Sequence, residues 1–277
     1  MLDLLFERMS HFGIELGAIS VVGSAYLRAS RVIEGHYGVI NRIAHEGRSA
    51  LSPDAESELT AAFADQLAQD ARVLGAFEVL DAFPGLTPTT LEERVDASGS
   101  SRLASGTYCS SIEVDGTPIL VLNGFHPAQV EYYTAPGRSL VLMEGLTDLA
   151  WQSLRTDFTG ATNPAKAVDG SVRAELRTRA AELGIDPVDQ SRNCVHCSAG
   201  PIEGLAELAR FLGVAHADTR TGSALAEAGF TPEEIDGLAG NEVVDPESGL
   251  SAFDATEEID TSTAVDRLRE LAGSRAG

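Results

Sequence analysis

The sequence contains almost no lysine: Lys166 is the only one among 277 residues, and the other basic residues are arginines. This absence removes nearly every lysine-based device for binding phosphate or forming a Schiff base. Acidic residues outnumber basic ones by 42 to 20, which gives a formal net charge of −22. A surface with this excess of negative charge repels the phosphate backbone of nucleic acids, so we expect no nucleic-acid partner.

Long apolar runs and the features of an export signal are also missing. The sequence has no run of about 18 apolar residues, so we expect no transmembrane segment and no membrane partner. The N-terminus MLDLLFERMSHFG carries an acidic residue at once and lacks the basic region that begins a signal peptide. Cysteine is limited to three residues, an odd number that does not suit a disulfide framework. We therefore expect a cytoplasmic protein.

The order of apolar and turn-forming residues predicts helices and strands in irregular alternation. The N-terminal apolar stripe predicts a helix that Gly13 ends, and 14–22 follows as a strand. Asp115-Gly116 between two β-rich runs predicts a hairpin. This irregular alternation favours an α+β layered sheet over a doubly wound one.

The second half of the chain contains a short cysteine-rich stretch and an acidic C-terminal region. Residues 192–198 are expected to form a strand that leads into a turn, followed by a helix over 201–213. The last ~60 residues are acidic and poor in aromatics, as solvated segments are. We expect a solvated extension there, with two short helices near 231–238 and 263–273.

Two of the cysteines flank a histidine, and the residues alone leave three interpretations open. Cys194-x-x-Cys197 could be half of a zinc site, although such sites need four ligands and Cys109 is the one other cysteine. The pair could instead be redox-active, because it follows a predicted strand and precedes a helix. In the third interpretation His196, oriented by Glu207 eleven residues later, is a nucleophile that carries a phosphoryl group.

The segments around His196 resemble those of nucleoside diphosphate kinases. NCVHCSAGPIEGLAELARF is similar to the family's Asn-x-x-His-Gly-Ser-Asp pattern and the glutamate-bearing helix after it. GATNPAKAVDGSVRAEL resembles the family's GxTNPxxAxPGTIRxxF segment, and FHPAQVEYYTAPGRSLVLMEGL its base-binding segment. FERMSHFGIELGAISVV with HYGVI resembles the early helix and strand, so the likeness covers roughly 1–47 and 120–213. The resemblance favours the nucleophilic histidine.

The resemblance implies a fold, a domain organisation and a reaction. The fold would be α+β, with a ferredoxin-like antiparallel sheet covered by helices. Residues 1–213 would form the kinase-like domain, with a helical and hairpin insertion at about 48–120 and an acidic C-terminal extension at 214–277. A nucleoside triphosphate, accompanied by Mg²⁺, would pass its γ-phosphoryl group through a phosphohistidine to a nucleoside diphosphate or another small molecule. Related enzymes are commonly oligomeric, which makes a homo-oligomer compatible with the resemblance.

The resemblance also assigns roles to individual residues. His196 would be the nucleophile, and Glu207 would orient its far ring nitrogen. The base would stack on an aromatic ring, and the phosphates would bind threonine, arginine and tyrosine side chains. The nucleotide-binding residues implied in this way, with no protein ligand to a metal among them, are Tyr37, Phe125, Arg155 (out of register with the family), Thr162, Arg173, Asn193 and Ser198.

Several features depart from the family pattern. The family's first strand, which ends in Lys-Pro-Asp, is absent, and Lys166 cannot replace that lysine by position. Cys197 and Ala199 stand where the family has glycine and aspartate. The missing strand would leave an open sheet edge. Either the natural start lies upstream of Met1 or a strand of the 107–123 hairpin fills the gap, which we favour. The departures also leave open a catalytically impaired nucleotide-binding or interaction module on the same fold.

Overall fold

The computed structural model describes residues 1–190 and 192–275, and these form two compact units. The first unit combines residues 1–20 with the chain from 141 onward, and the second comprises Val21–Leu140. None of the helices in the described ranges is both long enough and apolar enough to cross a membrane.

Helices predominate in both units. In chain order they are α1 (Leu2–His11), α2 (Ser24–Ser30), α3 (Val32–His36), α4 (Gly38–Glu46), α5 (Pro53–Ala62), α6 (Ala64–Ala68), α7 (Ala76–Ala82), α8 (Pro88–Ser98), α9 (His126–Thr134), α10 (Trp151–Ser153), α11 (Val172–Thr178), α12 (Ala180–Leu183), α13 (Pro201–Glu207), α14 (Arg220–Glu227), α15 (Pro232–Ala239), α16 (Ala252–Thr256) and α17 (Thr261–Arg275). Short 3-10 turns occupy Gly47–Ala50, Pro164–Lys166 and His216–Asp218, and π-helical turns occupy Leu154–Thr159 and Leu208–Leu212.

The strands range from two to nine residues in length. They are β1 (Glu15–Gly23), β2 (Arg72–Gly75), β3 (Ser101–Ala104), β4 (Thr107–Val114), β5 (Thr117–Leu122), β6 (Ser139–Leu146), β7 (Val243–Asp245) and β8 (Leu250–Ser251). The combination of helices with antiparallel and mixed sheets is compatible with the α+β class. The ferredoxin-like arrangement and the predicted domain boundaries remain predictions.

The second unit is built on a four-stranded sheet in the order β2-β5-β4-β3. The sheet is mixed, because β2 runs parallel to β5 while the other neighbours are antiparallel. Alternate residues of β5 enter two separate cores: Leu120 and Leu122 pack with α5, whereas Ile119 and Val121 pack with α7 and α8. The sheet therefore carries helices on both faces, which is why β5 is apolar and buried at every position from 119 to 122 rather than alternating.

The predicted hairpin is present, but it does not extend the sheet of β1. Asp115 and Gly116 have φ values of 50° and 76°, as a tight hairpin turn requires, and they join β4 to β5. The expectation that 107–123 fills the gap beside β1 is wrong. The two free sides of this hairpin are taken by β2 and β3 of its own unit.

The N-terminal helix and strand form as predicted. Helix α1 ends before Gly13, which has a φ of 65°, and the chain then enters β1. β1 pairs with β6 in a two-stranded sheet, and most of each strand belongs to the first unit. Leu4 and Met9 of α1 are buried with Val172 and Leu176 of α11 in one core of this unit.

The C-terminal region is folded, so the expectation of a solvated extension is wrong. Helices near the two predicted positions are present as α15 and α17. Residues of α13 to α17 share one hydrophobic core, in which Ile202 and Leu205 pack with Leu225, Ile235 and Leu268. The apolar residues of these helices recur at helical spacing, so the acidic residues can face solvent while the helices bury a common core.

Candidate active site

The segment that carries His196 is irregular, and the strand expected over 192–198 is not formed. Cys194 has a φ of 68°, which is incompatible with extended backbone. Val195 packs against the core of α1 and α11, so it anchors the segment from inside. Side chains from elsewhere in the first unit bind its carbonyl groups, which replaces the ladder that a strand would supply.

Arg173 fixes the start of this segment. Its Nε and Nη2 donate to the carbonyl oxygen of Val195, at 3.2 and 2.7 Å, and its Nη1 donates to Gly160 at 2.8 Å. The residue is only 7% exposed. Arg173 therefore joins the histidine segment to the loop that begins at Gly160, and a phosphate could reach this guanidinium only by competing with those carbonyls.

The end of the segment is held by Arg155 and Trp151. Arg155 Nη1 donates to the carbonyl of Cys197 at 2.9 Å, and Trp151 Nε1 donates to that of Ser198 at 3.3 Å. The next carbonyl, of Ala199, accepts the backbone N–H of Glu258 at 2.9 Å. Consecutive peptide groups are thus fixed before α13 begins, so the position of His196 is defined from both sides.

His196 and Ser198 meet on one carboxylate. His196 Nε2 lies 3.0 Å from Glu207 Oε1, and Ser198 Oγ donates to Glu207 Oε2. The carboxylate is mostly covered, with 12% of its side chain exposed, whereas 47% of the His196 side chain is exposed. The His196 imidazole is therefore accessible to solvent, and its Nε2 is hydrogen-bonded to the mostly covered Glu207 carboxylate.

The environment raises the pKa of His196. Desolvation by the surrounding protein lowers this pKa, but the hydrogen bond and negative charge of Glu207, with a contribution from Glu203, outweigh it. Arg155 acts in the opposite sense, since its positive charge lowers the pKa of His196. The pKa of His196 is thus set by the opposing charges of two carboxylates and one arginine.

Glu203 belongs to this cluster, although no family motif in the sequence pointed to it. It lies one turn before Glu207 on α13 and accepts the backbone N–H of Ala199. Burial and the charge of Glu207 raise the pKa of Glu203. The i,i+4 spacing of Glu203 and Glu207, on the helix that follows His196, was the one sequence feature that could have indicated that Glu203 lies beside the histidine.

The remaining predicted nucleotide-binding residues are divided between the two units. In the first unit, Asn193 Nδ2 donates to the carbonyl of Thr162 at 3.3 Å, and this hydrogen bond joins the loop that contains Thr162 to the histidine segment. In the second unit, the Tyr37 ring packs edge-on against His36 at 4.6 Å, and the Phe125 ring packs edge-on against Tyr108 at 5.8 Å. The nucleotide-binding roles of all these residues stay predictions.

The two cysteines beside His196 are free thiols. Burial raises the pKa of both, and the charges of Asp189 and Asp186 add to the effect at Cys194. A raised pKa lowers the fraction of thiolate, which is the form that attacks disulfides and binds metals. Among the described residues, neither cysteine belongs to a group of three or more potential metal ligands. The geometry therefore favours neither cysteine-based interpretation.

Comparison with known proteins returns no relatives: the chain matches no protein-family model, no curated protein and no solved structure.

Proposed function

We propose that the chain is a nucleoside diphosphate kinase-like phosphotransferase that works through a phosphohistidine at His196. The observation that carries the proposal is the Glu207 carboxylate, which binds His196 Nε2 with one oxygen and Ser198 with the other. A carboxylate on Nε2 fixes the orientation of the ring and stabilises the positive charge that develops as the other nitrogen, Nδ1, attacks.

The proposed reaction has two halves. The Nδ1 lone pair attacks the γ-phosphorus of a nucleoside triphosphate, the bond to the β–γ bridging oxygen breaks, and the nucleoside diphosphate leaves. An oxygen of the acceptor then attacks the phosphorus and the N–P bond breaks, which restores the imidazole. The acceptor is a nucleoside diphosphate or another small molecule with a phosphate or hydroxyl group.

Positive charge for the transferred phosphoryl group comes from Arg155 in this proposal. Its guanidinium already lies against the histidine segment at Cys197, with 24% of its side chain exposed. Arginine suits this task because its planar donors match phosphate oxygens. Arg173 supports the site by positioning Val195, and Thr162 borders the same site through Asn193.

Magnesium enters as part of the nucleotide substrate, where it offsets the charge of the phosphates. The two nearby carboxylates already have partners: Glu207 binds His196 and Ser198, and Glu203 accepts the N–H of Ala199. They are therefore not assigned as ligands of the ion. The proposal retains the cytoplasmic location and places the first unit, with β1 and β6, in a divergent ferredoxin-like fold.

Labelling with γ-³²P-ATP and Mg²⁺ tests the proposal. We expect label that is lost in acid and stable in base, present in the native chain and in a Cys194→Ser, Cys197→Ser double variant, and absent in His196→Ala. His216→Ala is the matched control, because His216 is also paired with a carboxylate, at 2.6 Å, in the same unit. Acid-stable label, or label that persists in His196→Ala, would refute the phosphohistidine.

A second candidate is a catalytically impaired nucleotide-binding or interaction module. It is favoured by Arg173, whose guanidinium is bonded to the carbonyls of Val195 and Gly160. Titration calorimetry with ADP separates the two candidates. Nucleotide binding without any transferable label, in protein whose His196 titrates reversibly, would select the non-catalytic module.

A further inference from the structure

The end of α16 and the segment that joins it to α17, together residues 256–260, lie directly against the histidine segment. Glu258 donates its backbone N–H to the carbonyl of Ala199 at 2.9 Å. A Cβ at Gly200 would lie 2.3 Å from the carbonyl oxygen of Thr256, so only glycine permits this approach. Asp260 Oδ1 accepts the backbone N–H of Trp151 at 2.7 Å. The C-terminal region is therefore in direct contact with the residues that surround His196.

Glu258 also forms an ion pair with Arg155. The Nε of Arg155 lies 3.6 Å from Glu258 Oε1, while its Nη1 donates to the carbonyl of Cys197. Glu258 has a φ of 57°, a left-handed conformation that side-chain-bearing residues rarely adopt. Such conformations persist where surrounding interactions hold them, and they are concentrated at functional sites.

We propose that Glu258 is a positioning residue for Arg155: its carboxylate holds the guanidinium beside the histidine segment, where the transferred phosphoryl group is to bind. This inference rests on the proposed function, and it assigns to the C-terminal region a part in that site. Glu258 is suited to the task because its own backbone is bonded to Ala199, so the carboxylate is anchored to the segment that it serves.

The length of the ion pair supports this assignment. At 3.6 Å the contact exceeds ordinary hydrogen-bond distance, so it confines the guanidinium by charge without consuming a donor. Within the described residues, Nη2 of Arg155 has no hydrogen-bond partner and is left to bind an anion. An arginine held in this way loses less conformational freedom when phosphate binds.

Kinetics of Glu258→Gln provide the first test, because glutamine keeps the size of the side chain and the backbone N–H but removes the charge. We expect kcat/KM for phosphotransfer to fall about three- to fivefold, as loss of one partly exposed ion pair allows. Glu257→Gln is the matched control, since Glu257 is an exposed neighbour with the same charge, and it should change the rate less than about twofold. Arg155→Met should cost about a hundredfold, and adding Glu258→Gln to it should cost nothing more.

The titration of His196, followed by NMR in the full chain, provides a second test that needs no catalysis. Arg155 lowers the pKa of His196, so displacing it should raise that pKa in Arg155→Met and in Glu258→Gln alike. Direct loss of a nearby negative charge would lower the pKa, so an upward shift identifies movement of Arg155. Glu257→Gln should leave the titration unchanged.

The two tests separate failure of the inference from failure of the proposed function. An upward shift in Glu258→Gln without any phosphohistidine in the native chain would keep the positioning role and remove the reaction. Normal phosphohistidine, with Glu258→Gln matching Glu257→Gln in both rate and titration, would overturn the positioning role alone. Additive losses in the Arg155→Met, Glu258→Gln double variant would likewise overturn it.

Discussion

Replacing Glu207 with glutamine removes the charge behind His196 while keeping the length of the side chain. The Nε2–Oε1 distance of 3.0 Å is that of a hydrogen bond, and bonds with one charged partner contribute about 1.5–3 kcal/mol. Because 47% of the His196 side chain is exposed, solvent screening places this bond at the lower limit. About 1.5 kcal/mol of lost stabilisation corresponds to phosphohistidine formation that is about tenfold slower.

The same substitution should move the pH dependence of the reaction. Attack requires the neutral imidazole, so the native rate should rise with pH through the pKa of His196. Burial lowers that pKa, but the hydrogen bond and charge of Glu207 outweigh it and hold it above the ordinary 6.5. Removal of the Glu207 charge therefore shifts the midpoint of the rate profile to lower pH.

Initial rates of acid-labile labelling between pH 5 and 9, with NMR titration of the ring, measure both effects. Glu257→Gln serves again as the control for a single lost charge at an exposed position. Circular dichroism confirms that the variant is folded; a folded Glu207→Gln variant with the native rate and an unmoved or upward-shifted midpoint would refute the role assigned to this carboxylate.

Three further predictions follow from single contacts. Ser198→Ala loses the hydrogen bond to Glu207 and should slow phosphohistidine formation about fivefold. Ser198→Thr keeps the hydroxyl and should retain the native rate. Equal rates in the two variants would contradict a role for this hydrogen bond. Gly200→Ala places a Cβ 2.3 Å from the carbonyl oxygen of Thr256 and should lower the free energy of unfolding by about 1–3 kcal/mol, measured by urea denaturation; an unchanged midpoint would contradict the close approach. His126 is fully buried, and burial lowers its pKa, so the unfolded state binds more protons and stability should fall as the pH drops through about 6.5. The urea midpoint should fall less between pH 7.5 and pH 5.5 in His126→Gln than in the native protein. An identical fall in the two proteins would refute the contribution of His126.

Local features of the fold could be predicted from the sequence because their causes are local. The hairpin follows from Asp115-Gly116, where adjacent residues adopt positive φ, and the end of α1 follows from Gly13, which has a φ of 65°. The strand predicted at 192–198 failed for the opposite reason. Its backbone is fixed by side chains far away in sequence, such as Arg155 and Arg173, and apolar periodicity contains no information about them.

The candidate site shows the same division. The His196–Glu207 contact was predicted, because the spacing of eleven residues between them matches the family pattern that this segment resembles. Trp151 and Glu258 were missed, since their contacts with Ser198 and Ala199 join parts of the chain that no motif connects.

The acidic C-terminal region shows why composition alone misled. Its mean composition resembles that of a solvated segment, but Ile235 and Leu238 recur at helical spacing and are both buried. Charge and a folded core are compatible when the charges occupy the outer faces of helices, and the excess of acid then leaves some carboxylates near the site that we propose binds phosphate. Glu258 illustrates the consequence: a negative charge close to the proposed phosphate site is tolerable when it is paired with Arg155, because the guanidinium of the pair donates to the segment that carries His196.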